Sequence, residues 1–207
     1  MSRQPTIDQL HGGEYHLLAM LSHPHLAEFV VDYFFRRRSW LTLLHHLLSA
    51  LILGAAIGIA WQSGLSFLDG LKAFGLALVA LFVVILPLHE ALHAIGYWLV
   101  GARDIRWDGS WRMLAVWVVA HRFVAGAQAF AFVALAPTVV LNAIILITAL
   151  LVPKLAVFLL FLLLWHHHGA SGDWSLLNFF WLHRRAGVWT YDDAERKESF
   201  FFGRAET

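Results

Sequence analysis

His89-Glu90-Ala91-Leu92-His93 reads H-E-x-x-H. On a helix, residues four apart stand one above the other, so both imidazoles can reach a single tetrahedral Zn²⁺. Glu90 is then held beside the metal as a general base. From this chain's composition the pattern is expected only about 0.02 times by chance. There is no Cys, which removes every thiolate-ligated site and leaves His and carboxylates as metal donors. Two His leave zinc short, because a catalytic site keeps three protein ligands and one open position. Asp173 is the candidate for the third. Apart from Glu90, it is the only acidic residue within the long apolar segments. Its plainer reading is the cap of a helix beginning at Trp174, a role compatible with ligation.

The elements that must position these side chains follow from where charge is missing. Of 207 residues, 59% are apolar and 14% charged, which fits neither a soluble globular domain nor a disordered chain. A bilayer core takes about 20 apolar residues as a helix. Four segments qualify: Trp40 to Trp61; Lys72 to Arg103, interrupted only by Glu90; Arg122 to Lys154; and Lys154 to Arg184, interrupted only by Asp173. The expected fold is therefore an all-α polytopic membrane protein built on a four-helix transmembrane bundle. In the third segment Pro137 predicts a short interfacial helix up to about Leu135 and a spanning helix after it. Gly54 and Gly58 form a G-x-x-x-G and predict a close-packing face in the first helix.

Basic residues orient the bundle, since cytoplasmic loops retain Lys and Arg. With the N-terminus inside, only Lys72 and Lys154 of the fifteen fall outside. Both termini are thus expected in the cytoplasm, and reporter fusions at Thr207 and within Ser63 to Leu71 should report opposite sides; the same side for both would overturn this topology. Glu90 and Asp173 each lie eleven residues from the inner ends at Gly101 and Arg184, a depth of about 16 Å. The run from His166 to Gly172 predicts a helix break, tolerated at that depth only where it lines protein or a wet cavity.

Outside the bundle, Leu26 to Arg38 suits an amphipathic helix on the inner leaflet. Arg103 to His121 alternates apolar and polar residues around Asp108-Gly109 and predicts a small cytoplasmic β-hairpin between the second and third helices, with its turn at that dipeptide. Three regions result: a cytoplasmic or interfacial segment 1–39, a membrane-embedded domain 40–183 that carries the H-E-x-x-H, and a cytoplasmic tail 184–207. A net charge of +1 gives no basis for a nucleic-acid partner. The expected partners are the lipid bilayer and a membrane-associated peptide or protein substrate; composition does not address oligomeric state.

Among the other polar groups in the apolar segments, His166, His167 and His168 read either as donors to the metal or as a hydrated helix break. His45 and His46 read as facing the bundle or snorkelling inward. Asn142 reads either as a group steadying a substrate carbonyl or as an interhelical hydrogen bond. His11, His16, His23, His25, His121 and His183 fall in interfacial or soluble stretches and are given no role.

His89 to His93 in a membrane helix, the Pro137 and Asn142 region of a later helix, Ser171-Gly172-Asp173 in the last one and a soluble tail with an acidic turn together resemble the putative zincin peptidase family of small bacterial membrane proteins. That family is similar to the site-2 intramembrane metalloproteases. The resemblance implies a zinc-dependent peptidase of the bacterial cytoplasmic membrane, with His89, His93 and Asp173 as ligands and Glu90 as base. The chain lacks the N-x-x-P-x-x-x-L-D-G of site-2 enzymes, and Ser-Gly-Asp supplies the Asp instead. Two rival readings are a histidine-rich membrane metal-binding or di-iron oxidase-type protein, and an inactive zincin-like protein that binds a partner. A desaturase-type di-iron site needs about eight His in several boxes, and the boxes beyond H-x-x-x-H and H-H-H are missing.

Overall fold

The computed structural model describes residues 4–110 and 115–204. Helix α1 (Ile7–His11) and strand β1 (Tyr15–Ser22) lead to α2 (Leu26–Val30), which runs on as a π-helical turn through Val31–Arg36. The amphipathic stretch expected from Leu26 is thus helical to Arg36. Next come α3 (Trp40–Gln62), α4 (Phe67–Ala80) and α5 (Leu86–Leu99), the last two joined by a π-helical turn at Leu81–Ile85. Strands β2 (Ile105–Ser110), β3 (Ala115–Ala120) and β4 (Ala125–Gly126) precede α6 (Ala127–Leu151), α7 (Ala156–Gly169) and α8 (Ser171–Leu182). The chain continues with β5 (Trp189–Asp193) and β6 (Glu198–Arg204).

Among the described residues, three helices are long and apolar enough to cross a membrane: Trp40–Gln62, Phe67–Leu99 and Ala127–Leu151. The pair Pro153–Gly169 and Ser171–Leu182, bent by 45°, makes a fourth if counted as one span. Their surfaces are inverted relative to a water-soluble helix. On α3 the buried residues include Thr42, His45 and Ser49, while Leu43, Leu47 and Leu51 are exposed, Leu51 at 69%. Polar groups turned toward protein and leucines turned away is the arrangement that hydrocarbon favours. Helix α7 is the exception, with Leu159, Leu160, Leu162, Leu163 and Leu164 all buried. An all-round apolar helix belongs at the centre, and α7 packs against α3, α4 and α6.

The hairpin is present as β2 paired antiparallel with β3, Ile105 opposite Ala120 and Asp108 opposite Trp117. Its turn is displaced from expectation. Asp108 and Gly109 lie inside β2, and the connection between the strands falls outside the described residues. A second sheet, ordered β1-β6-β5-β4, adds to the expected helices. Strand β1 pairs with β6, Tyr15 opposite Arg204 and Ser22 opposite Glu198, so residues before α3 and after α8 share one sheet. The aromatic run of β6 is buried on both faces. Phe201 packs with Phe130, Phe179 and Phe180 of α6 and α8, while Phe200 and Phe202 pack with Leu10, Val124 and Tyr191.

Two further expectations need correction. Helix α6 is continuous through Pro137 instead of starting there. Side chains added at Gly54 or Gly58 would meet nothing within 4 Å among the described residues, so the G-x-x-x-G packs against none of them.

Candidate metal centre

Helix α5 carries H-E-x-x-H on its inward face, with His89, Glu90 and His93 buried, Glu90 at 6% exposure. The π-helical turn just upstream ends one residue before Leu86-Pro87. Proline lacks the N–H that an α-helix needs, and a π-helical turn is a common way to absorb such a defect at a functional site. Below His93, Gly96 brings α5 against α6: a Cβ there would meet Val133 Cα at 3.4 Å. That approach puts the Val133 carbonyl within reach of His93, whose Nδ1–H donates to it at 3.0 Å.

Asp173 lies in the first turn of α8, which starts at Ser171. Its reading as the cap of a helix from Trp174 therefore does not hold. The stretch from His166 to Gly172 narrows to a bend at Ala170, with His166, His167 and His168 all inside α7. This bend turns the Asp173 carboxylate onto the histidines of α5. His89 Nε2 lies 3.1 Å from Asp173 Oδ2, and His93 Nε2 lies 3.3 Å from Asp173 Oδ1. The two Nε2 atoms are 3.0 Å apart.

These atoms fit a zinc ion. Arms of about 2.0–2.1 Å in a tetrahedron place neighbouring donors about 3.3 Å apart, close to the three separations found here. Among the described residues, His89, Glu90 and His93 form the one group of three potential ligands whose atoms all lie within 4.8 Å of one another, with Asp173 touching both imidazoles. Glu90 Oε2 is buried with no hydrogen-bond partner among the described residues. An unsatisfied buried carboxylate oxygen is costly and calls for a functional account.

A family model described as "Putative zincin peptidase" matches residues 82–186, half of the chain. The chain belongs to this family. The matched span runs from the π-helical turn to the end of the turn after α8, and so includes His89, Glu90, His93 and Asp173 in this zincin-family protein. No curated protein and no solved structure matches the chain.

The zincin site opens into a cavity of about 340 Å³ between the helices and the sheets, lined by Glu90, Tyr97, residues 116–119 of β3, and Phe201. Several lining residues went unread in the sequence. Tyr97 stands one turn beyond His93 on the same stripe, a signal that spacing of four could have given. His23 and Asp192 line the same cavity and meet through Ser199: His23 Nε2 is 3.3 Å from Ser199 Oγ, which donates to Asp192 Oδ1 at 2.5 Å. Burial pushes the Asp192 carboxyl up to about 6, against the Ser199 hydrogen bond. No local spacing links residues so far apart in the chain.

Of the remaining polar groups, Asn142 makes interhelical contacts to His166 and His167. His45 is fully buried, stacked on His167 with ring centroids 4.0 Å apart. His166 meets His89 at Nδ1, not on the Nε2 side where Asp173 sits.

Proposed function

We propose that this zincin-family chain is a membrane-embedded zinc metallopeptidase that hydrolyses a peptide bond within or near the bilayer. The observation that carries this reading is the convergence of His89 Nε2, His93 Nε2 and the Asp173 carboxylate at tetrahedral-edge separations, beside a buried Glu90 with an oxygen unpartnered among the described residues. His89, His93 and Asp173 would hold the zinc, which when bound polarises the scissile carbonyl and acidifies water. Glu90 takes the proton of the attacking water and returns it to the leaving amine. The buried walls around Glu90 limit competing bulk water. The oxidase-type rival is disfavoured by the position of His166, which supports a ligand from behind instead of joining a second cluster. Chelator treatment of the purified protein should abolish cleavage of a membrane-tethered peptide, and one equivalent of Zn²⁺ should restore it. Full activity in metal-free protein would overturn the reading.

Strand β3 offers a way to hold the substrate. Among the described residues its strand partner is β2 alone, and residues 116–119 line the cavity beside Glu90. A helical substrate must unwind before its backbone can be reached, and pairing as an added strand replaces the hydrogen bonds it loses. Both termini and both sheets would lie on the cytoplasmic side, as the basic residues suggest. Proline placed at positions 116–119 whose N–H faces away from β2 should cut cleavage at least tenfold with zinc content unchanged. Wild-type cleavage in every such variant would remove β3 from substrate binding.

A further inference from the structure

A histidine binds zinc through Nε2 only if its proton sits on Nδ1, and whatever accepts that proton fixes the tautomer. For His93 the acceptor is the Val133 carbonyl, at 3.0 Å. In an unbroken α-helix that carbonyl would accept from the N–H of residue 137. Residue 137 is proline and has none. The one main-chain hydrogen bond that Pro137 removes from α6 thus frees an acceptor one helix away from the metal ligand that uses it.

For His89 the control is longer and starts at a backbone carbonyl. A carbonyl only accepts, so His167 Nε2, 3.2 Å from the oxygen of His45, carries a proton. The other nitrogen of a neutral His167 ring must then accept, and Asn142 Nδ2 is the donor facing it at 3.4 Å. This turns Asn142 Oδ1 toward His166, whose Nδ1–H donates to it at 2.7 Å. His166 Nε2 is left as an acceptor and takes the Nδ1–H of His89 at 2.9 Å. The free lone pair of His89 is therefore on Nε2, aimed at His93 and Asp173. Reversing the Asn142 amide would require two protons on His167, placing a cation in a buried site. The chain of groups has one neutral solution.

We propose that α6 sets the tautomer of both zinc-ligand histidines, with Pro137 acting on His93 by releasing the Val133 carbonyl and Asn142 acting on His89 through His166. This inference rests on the zinc reading for its consequence, though not for the hydrogen-bond pattern itself. Pro137, Asn142, His166 and His167 are positioning residues.

Nitrogen-15 NMR of the histidine-labelled full chain in detergent, with and without zinc, tests the pattern. His166 should carry its proton on Nδ1 and the adjacent His167 on Nε2, opposite tautomers in consecutive residues, in both states. The same tautomer on both rings would overturn the proposal, whereas failure to bind zinc would overturn only the metallopeptidase reading. Asn142→Leu should lower zinc affinity by about 10–100-fold in chelator competition, as losses behind a ligand do. Pro137→Ala, which returns an N–H to compete for Val133, should lower zinc affinity about tenfold while leaving thermal stability equal or higher. A proline with a merely structural role would lose stability and keep affinity. Wild-type affinity in both variants would also overturn the proposal.

Discussion

Glu90→Gln will leave zinc bound and the fold unchanged while lowering turnover by about 10²–10⁴-fold, the usual worth of a positioned general base. The amide keeps the size of the carboxylate and fits the same buried space, but it cannot accept the proton of the attacking water. The distinction from a structural role is sharp here because Glu90 Oε2 has no partner among the described residues to lose. If Glu90 only packed α5 against its neighbours, the neutral amide would be easier to bury than the carboxylate, and function would persist. Zinc content by mass spectrometry, beside single-turnover cleavage of a membrane-tethered peptide, separates the two. Cleavage at the wild-type rate by the Gln variant would sink the assignment of Glu90 as base.

Asp173→Ala will strip the metal, with affinity falling by more than the roughly 10–100-fold typical of groups behind a ligand, because an inner ligand is gone. It leaves two imidazole lone pairs facing each other at 3.0 Å with no anion to help neutralise a cation between them. His93→Ala should behave similarly. Asp173 is also the residue on which competing accounts differ most. A residue serving only α8 would cost a few tenths to about 1 kcal/mol of helix stability when removed, through the helix dipole, and would spare zinc. Chelator competition on the Asp173→Ala protein decides between them, and unaltered zinc affinity would exclude Asp173 as a ligand.

The cluster of His89, His93 and Asp173 was more legible in the sequence than the sheets. Spacing of four on a helix puts His89 and His93 together whatever the surrounding fold, and equal depth paired Asp173 with Glu90 because both sit in segments whose ends are marked by charge. The contacts of Asp173 with His89 at 3.1 Å and His93 at 3.3 Å, on the same helix as Glu90, agree with that arithmetic. The four-stranded sheet escaped because its strands lack alternation. Phe200, Phe201 and Phe202 are buried on both faces, so no polar side punctuates them. Pairing partners are also remote: Tyr15 meets Arg204, and no local pattern announces that. Pro137 misled for a physical reason. A proline ends helices where its orphaned carbonyl must find water, but here the carbonyl finds His93, and α6 runs on.

The pairing of β1 with β6 also bears on the order of events during synthesis. Strand β1 occupies residues 15–22 and its partner residues 198–204. A ribosome working at about 5–20 residues per second therefore leaves β1 without its partner for about ten seconds or more, long after α3 and α5 have been made. Helix α8, which brings Asp173, is likewise made well after α5. The contacts of Asp173 with His89 and His93 therefore form only after both histidines have been made and threaded, so the order of elements along the chain delays assembly of the candidate site.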